Sequence, residues 1–200
     1  MDENNSYDAF ENLFIGKKRY VNLTIVAVNI LVYIFVEFFT NDETFMYIYD
    51  RGAAVTPLIL NGEYYRLFSS MFLHAGISHL FGNMLMILFV GDELEEITGH
   101  IKYFVIAIVG GLTGNIATVC FDIVNHKSVP SVGASGIAYA ILGGIMACII
   151  KKCLKRKLSI KKLVIITALT LISDFNTANI NAIAHLGGLV GGFILALLLV

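Results

Sequence analysis

Charged residues are scarce in this chain, and their scarcity excludes several classes of protein. Asp, Glu, Lys and Arg make up 14% of the 200 residues, whereas soluble domains carry about 25%. Hydrophobic residues make up 57%, and the mean hydropathy is +0.78. The composition argues against an ordinary soluble enzyme, a disordered protein and a nucleic-acid-binding domain. It predicts an all-α, polytopic membrane protein that has the lipid bilayer as its surroundings.

Cysteine is rare as well, which bears on disulfides and metal sites. Cys120, Cys148 and Cys153 are odd in number and show no C-x-x-C or His/Cys ligand spacing. We interpret them as small apolar packing residues in helices. The chain also lacks an H-E-x-x-H motif, a pair of intramembrane aspartates and a Gly-rich phosphate loop, so we expect neither a metal nor a cofactor.

Six apolar runs predict six transmembrane helices. The first run is about 20 residues long, which exceeds the apolar region of a secretory signal. We therefore expect an uncleaved first span after a short tail, and one transmembrane domain over 20–200 after the tail at 1–19. The second and fifth runs are short for a bilayer core of about 30 Å. The predicted spans are 20–40, 77–91, 102–124, 133–150, 163–174 and 180–200.

The distribution of Lys and Arg predicts the orientation. With a cytoplasmic N-terminus, eleven of these residues fall inside and three outside, as the positive-inside rule requires. The basic run 151–162 is interpreted as a topology-determining loop, with anionic-lipid binding as the alternative. The half-apolar loop 41–76 then lies outside, partly in the interface. A plasma or bacterial inner membrane is the expected location.

Three polar sites, one of them a pair of residues, lie inside predicted spans, where polar groups are costly and usually functional. They are Ser135, His185, and the pair His79 and Asn83, which share a helix face at i, i+4. Counted from the inner ends of their spans, Ser135, His185 and His79 lie at heights of about 24, 22 and 20 Å. All three spans run in the same direction, so these side chains are predicted to meet in the outer third of the bilayer.

These side chains suit acyl transfer. Serine becomes a competent nucleophile when a base removes its proton, and histidine is the usual base. Ser135 and His185 are the candidate catalytic pair. Donors for the oxyanion would be His79, Asn83 and the Ser135 backbone N–H.

Small and aromatic residues around the pair suit the same arrangement. Gly133 and Gly136 allow close backbone approach beside the serine. Tyr139 shares the face of Ser135 and is expected to pack on the His185 ring. Gly188 and Gly192 form a G-x-x-x-G that would bring the sixth span close to the fourth.

Each motif has a plainer interpretation when taken alone. G-x-S-G is common at helix contacts, and His79 with Asn83 would also serve as an interhelical hydrogen-bonded pair. A lone histidine in a span also relays protons in some proteins. Other polar residues have no predicted catalytic role: Asp122 and Asp174 are expected to be solvated at span ends, and His100 and His126 to lie in loops.

Taken together, the motifs resemble those of the rhomboid intramembrane serine proteases, in order and spacing, from about Gly62 to Gly192. The run from Gly62 to His74 resembles the family's first-loop signature around an aromatic–Arg pair, with Tyr65 where Trp is common. The other matching stretches are His74-x4-His79-x3-Asn83, Gly91 to Glu95, Gly133-Ala134-Ser135-Gly136 with Tyr139, and Ala184-His185-Leu186-Gly187-Gly188 with Gly192.

The resemblance implies a six-span rhomboid bundle that cleaves transmembrane protein substrates near their outer ends. It implies structural roles for Arg66 in the outer loop and Glu95 at the inner end of the second span. It also implies that the loop from Ser173 to Asn181 is a movable cap over a water-accessible cavity. Two alternatives stay open: a catalytically silent relative that binds membrane clients, and a small proton-coupled transporter. The sequence does not predict the oligomeric state.

Overall fold

The computed structural model of this protein describes residues 19–39, 44–153 and 181–200. The described residues are helical, apart from turns and one isolated bridge between Ala54 and Ser131. The helices are α1 (Tyr20–Phe39), α2 (Thr44–Arg51), α3 (Thr56–Leu60), α4 (Arg66–Ser69), a 3-10 turn (Ser70–Phe72), α5 (Ile77–Met86), a π turn (Ile87–Gly91), α6 (Asp92–Thr98), α7 (His100–Asn125), α8 (Ser135–Ile150) and α9 (Ala182–Leu199).

Four helical segments among the described residues are long and apolar enough to cross a membrane: Tyr20–Phe38, Ile77–Thr98, His100–Asn125 and Ala182–Leu199. The apolar helix α8 is shorter, with 16 residues, or roughly 24 Å. These helices confirm a multi-pass, all-α membrane protein. The predicted fifth span, 163–174, lies outside the described residues, so the count of six stays a prediction.

The second span is longer than the sequence predicts, because the helix continues past Gly91 to Thr98. The π turn at Ile87–Gly91 joins α5 to α6. Asn22 of α1 packs against this turn and donates from Nδ2 to the Leu88 carbonyl at 3.1 Å. The Tyr103 hydroxyl donates to the other side of the Asn22 amide at 2.6 Å. The buried pair of Asn22 and Tyr103 thus provides a hydrogen bond to the Leu88 carbonyl within the π turn, where the regular α-helical hydrogen-bond pattern is interrupted.

Glycines bring α7, α8 and α9 into direct backbone contact. A Cβ on Gly188 would lie 2.5 Å from the Gly136 carbonyl oxygen, and one on Gly192 would overlap the Ala140 backbone. A Cβ on Gly114 of α7 would lie 2.5 Å from the Ala184 carbonyl oxygen. The predicted close approach of the fourth and sixth spans is therefore present. The largest apolar cluster lies on the other side of α8, where α5, α6 and α7 pack.

The segment before α5 folds over one end of the bundle as three short helices and a 3-10 turn. Val55 and Leu73 of this segment pack with Val36 at the end of α1. Arg66 is 2% exposed and holds the segment together from within. Its guanidinium donates to the carbonyls of Tyr49, Asp50 and Ala53 at 2.8, 2.9 and 3.1 Å.

Three expectations about polar residues and cysteines are corrected. Asp122 is 7% exposed, not solvated, because α3 covers it and the Thr56 hydroxyl donates to its carboxylate at 2.6 Å. His100 is the first residue of α7, not a loop residue. Cys148 is buried as expected, whereas Cys120 is exposed on α7. Asp174 lies outside the described residues.

Candidate active site

Ser135 is the first residue of α8, and the chain reaches it through a turn that requires glycine at position 133. Gly133 has a φ of 125°, which a residue with a side chain rarely adopts. Its N–H donates to the Ser70 carbonyl at 2.9 Å, which ties the turn to the 3-10 segment. The N–H groups in the first turn of a helix have no intrahelical acceptor. The Ser135 N–H is therefore a suitable donor for a developing oxyanion.

His185 lies in the first turn of α9, which Asn181 caps. The Asn181 side chain accepts a hydrogen bond from the Ala184 N–H at 3.0 Å. Its amide nitrogen donates to the hydroxyls of Thr118 and Ser131, each at 3.0 Å. One side chain thus links the start of α9 to α7 and to the segment that leads into Ser135. Sequence reasoning missed this role, although Asn is a preferred N-cap residue.

The helix carrying Ser135 and the helix carrying His185 meet at the same level. Tyr139 follows Ser135 by one helical turn, and its ring stacks on the His185 imidazole with centroids 4.3 Å apart and planes 12° apart. This is the contact that the sequence predicts. Gly188, one turn after His185, touches the Gly136 backbone. Ser135 and His185 therefore lie on neighbouring turns of two helices whose backbones touch at Gly136 and Gly188.

His79 and Asn83 lie on the other side of the Ser135 turn. A Cβ on Gly133 would be 2.7 Å from His79 Nε2 and 3.5 Å from Asn83 Nδ2. The Asn83 amide is fully buried, while His79, Ser135, Tyr139 and His185 keep 8–9% of their surface exposed. His79 Nδ1 and Asn83 Oδ1 have no hydrogen-bond partner among the described residues. Two polar side chains thus converge next to the serine turn.

His74 orients the Asn83 amide. Asn83 Nδ2 lies 3.1 Å from His74 Nε2, and the Ala134 N–H donates to the same nitrogen at 3.4 Å. Two donors on Nε2 require that this nitrogen be unprotonated, so the proton sits on Nδ1. Burial, with the nearby His79 ring, lowers the pKa of His74 to about 3. His74 is therefore neutral, and it joins Asn83 to the backbone before Ser135.

Arg66 and Glu95 lie away from this cluster and hold opposite ends of the bundle. Arg66 also donates from Nε to Glu63 at 2.7 Å, and this bond is the main cause that lowers the pKa of the Glu63 carboxyl. Glu95 is 2% exposed and accepts from the N–H groups of Val21 and Asn22 at 3.1 and 2.8 Å. Arg66 thus supplies donors to carbonyl groups of the segment before α5, and Glu95 supplies acceptors to N–H groups in the first turn of α1.

Within the ranges that the structure describes, no group of three or more His, Cys, Asp and Glu residues is arranged to hold a metal ion. The side chains gathered at Ser135 suit proton transfer and oxyanion binding instead. The expectation that no cofactor is needed stays a prediction.

Comparison with known proteins identifies the family. The helices define a multi-pass membrane protein with a serine and a histidine on facing helices. A family profile described as the Rhomboid domain matches residues 61–200. Because this match covers more than half of the chain, the chain belongs to the rhomboid family.

Curated relatives include proteins named as proteases. The chain is 32% identical over 188 residues to "Rhomboid protease GluP" of Bacillus subtilis (strain 168), which covers 90% of this chain and 35% of that protein. It is 32% identical over 143 residues to "Putative rhomboid protease YdcA" of the same organism, covering 71% of this chain and 70% of that protein. It is 30% identical over 158 residues to "Rhomboid-like protease 3" of Toxoplasma gondii, covering 76% of this chain and 57% of that protein.

The chain spans about a third of the first of these relatives and just over two thirds of the second. The shared part contains the helices that carry Ser135, His185, His79 and Asn83. Further segments of the longer relatives have no counterpart in this alignment. The chain and these relatives therefore share the family domain.

Proposed function

We propose that this chain is an intramembrane serine endopeptidase that cleaves transmembrane segments of membrane proteins near their outer ends. The proposal rests on one observation above all: Tyr139, one turn after Ser135, stacks on His185 where two glycine-lined helices touch. It is supported by the family and by relatives named as proteases.

In the proposed mechanism, His185 removes the Ser135 hydroxyl proton while Ser135 Oγ attacks the substrate carbonyl carbon. The resulting oxyanion accepts hydrogen bonds from the Ser135 N–H and from the side chains of His79 and Asn83. His185 then donates its proton to the departing amine. A water molecule attacks the acyl-enzyme by the same route, which regenerates Ser135 and releases the new carboxylate.

The membrane setting determines which substrates this chemistry reaches. An intact transmembrane helix keeps its carbonyls in internal hydrogen bonds, so a substrate must unwind locally before attack. Unwinding and water access are easier near an interface than at the bilayer centre. With the N-terminus in the cytoplasm, the proposed six-span topology places Ser135 near the outer interface. A cap between Ser173 and Asn181 is part of this proposal, although only Asn181 lies within the described residues.

A gel cleavage assay tests the proposal. The purified chain in mild detergent is mixed with a tagged model transmembrane substrate. We expect cleavage by the wild type and none by Ser135→Ala or His185→Ala, a loss of at least about 1,000-fold, because removal of a nucleophile or its base abolishes acyl transfer.

Matched controls separate a lost catalyst from a damaged fold. Ser128→Ala and His126→Ala change the same residue types at exposed positions outside the site, and both should cleave like the wild type. A fluorophosphonate probe should label Ser135 in the wild type and not in Ser135→Ala. Cleavage that persists in Ser135→Ala would refute the assignment. A wild type that neither cleaves nor labels would favour the client-binding alternative.

A further inference from the structure

An apolar cavity opens between α1, α7 and the short helices at the Arg51 end of the bundle. Its volume is about 540 Å³, which is within the range of about 300–1,000 Å³ for ligand sites. Hydrophobic side chains from all three walls line it, including Val28, Phe68 and Phe104. None of these residues belongs to the Ser135 cluster, so the cavity is separate from the proposed active site.

The cavity is elongated along α1. Its wall runs from Thr24 to Val36, a helical distance of roughly 18 Å at 1.5 Å per residue. One leaflet of the bilayer core is about 15 Å deep, half of about 30 Å. The cavity is therefore about as long as one extended acyl chain, and it runs along α1 from the outer half of that helix past its middle.

Arg51 is the one charged residue among the residues that line the cavity. It lies at the end near Val36, where α2 packs on α1, and its guanidinium is 5.8 Å from the centre of the Tyr47 ring. It is exposed and forms no salt bridge with any described residue. The neighbouring Arg66 is already bonded to carbonyls and Glu63. An exposed cation in the wall of an apolar cavity complements an anionic head group attached to an acyl chain.

We propose that this cavity is a binding site for an anionic phospholipid. One acyl chain fills the space between α1, α2 and α7, and the lipid phosphate pairs with Arg51. A lipid held there would fill the gap between α1 and the segment that contains Arg66, and so support the end of the bundle at which Ser135 lies. The inference does not depend on whether the chain is a protease.

Quenching by brominated lipids tests this site, because the chain contains no tryptophan. Phe68→Trp places a fluorescent reporter in the cavity wall, and Phe121→Trp places a matched reporter on α7, outside the cavity. Each full-length protein is reconstituted in phosphatidylcholine vesicles with increasing amounts of acyl-brominated phosphatidylglycerol or phosphatidylcholine. We expect the cavity reporter to reach half-maximal quenching at a mole fraction about five-fold lower for phosphatidylglycerol, which corresponds to about 1 kcal/mol for one cation.

The charge dependence identifies Arg51 as the head-group contact. Arg51→Gln should abolish the five-fold preference, whereas Arg51→Lys and the control Lys127→Gln should keep it. Fluorophosphonate labelling should be unchanged in Arg51→Gln, so a failed lipid site and a failed protease assignment are distinguishable. Glycerol phosphate, which has the head-group charge without the chain, should not relieve quenching.

Four results would overturn the proposal. They are equal quenching of the cavity reporter by the two lipids, the same preference at the Phe121→Trp reporter, a preference that survives Arg51→Gln, and relief of quenching by glycerol phosphate. The first three would indicate ordinary contact with surrounding lipid. The fourth would indicate a phosphate site instead of a lipid site.

Discussion

Polar side chains in this bundle are oriented by specific neighbours. Tyr139 stacks on the His185 ring, and Asn181 caps the start of α9, the helix that carries His185. His74 contacts the Asn83 amide. Such support matters because a catalytic group that is misplaced by about 1 Å loses much of its effect, up to about 100-fold in rate. The residues next to the proposed catalytic pair are therefore as informative as the pair itself.

His74 should make the stability of the protein depend on pH. Its pKa in the fold is about 3, against 6.5 for an unperturbed histidine. Between these values the unfolded chain binds a proton that the folded chain does not, so stability is complete above pH 6.5 and falls as the pH decreases. From pH 6.5 to 5.5 the loss should be about 1 kcal/mol, measured as the shift in a denaturant midpoint.

His74→Gln tests this prediction because glutamine does not titrate and keeps a carbonyl acceptor for Asn83. We expect the variant to lose less stability than the wild type over the same pH interval. His126→Gln, at an exposed position, is the matched control and should follow the wild type. Equal pH dependence in wild type and His74→Gln would contradict the assigned protonation state.

Helices in this protein approach one another through glycine where the site requires it. The α8 and α9 backbones touch at Gly188 and Gly192, whereas α6 and α7 are separated by one turn at Gly99, where φ is 79°. Close packing of α8 and α9 holds Ser135 and His185 on facing turns. Contact between helix backbones is a main source of attraction between helices in lipid, where the hydrophobic effect contributes little.

Gly192→Ala should push α9 away from α8. The new methyl group would overlap the Ala140 backbone, which cannot move aside as a flexible side chain does. We expect a loss of about 1–3 kcal/mol in unfolding free energy and up to about 100-fold less cleavage. A titration with denaturing detergent and the gel assay measure the two effects.

Val190→Ala is the matched control on the same helix, because Val190 is 48% exposed on the outside of the bundle. It should change neither measurement by more than a small fraction of the Gly192→Ala effect. If Gly192→Ala were as stable and as active as Val190→Ala, the helix contact would not be what positions His185.

At the scale of the whole molecule, hydrogen bonds connect the two ends of the bundle to distant parts of the chain. At one end Glu95 accepts from the start of α1, and Arg19 pairs with Asp92 and Glu96. At the other end Arg66 donates hydrogen bonds to three carbonyls of the segment before α5. These contacts close each end of the bundle around backbone groups that the helices leave unpaired.

The orientation of the whole molecule is tested by cysteine labelling in intact cells. In a background without Cys120, Cys148 and Cys153, the variants Lys127→Cys and Lys161→Cys are exposed to a membrane-impermeant maleimide. With the N-terminus in the cytoplasm, Lys127→Cys should be labelled from outside, and Lys161→Cys only after permeabilisation. The reverse pattern would place Ser135 near the cytoplasmic interface and contradict the proposed site of cleavage.

Much of the bundle and of the candidate site is predictable from local sequence. Apolar runs of sufficient length locate the helices, because a bilayer requires about 20 apolar residues to hide a helical backbone. Ser135, His185, His79 and Asn83 stand out because they are polar within such runs. Hydropathy alone did not predict the helix extension beyond Gly91, since four of the five residues Asp92 to Glu96 are charged and their partner Arg19 is 73 residues from Asp92 along the chain.

The sequence by itself determined that the chain is a multi-pass helical membrane protein, and which polar side chains its helices carry. These properties depend on composition and short spacings. Only the tertiary structure decided that Asp122 is buried under Thr56, 66 residues away, and that Asn181 ties two helices to the serine turn. It also decided that Arg51 is among the residues that line an apolar cavity. Such features arise when segments distant in sequence exclude water together, and no local pattern contains that information.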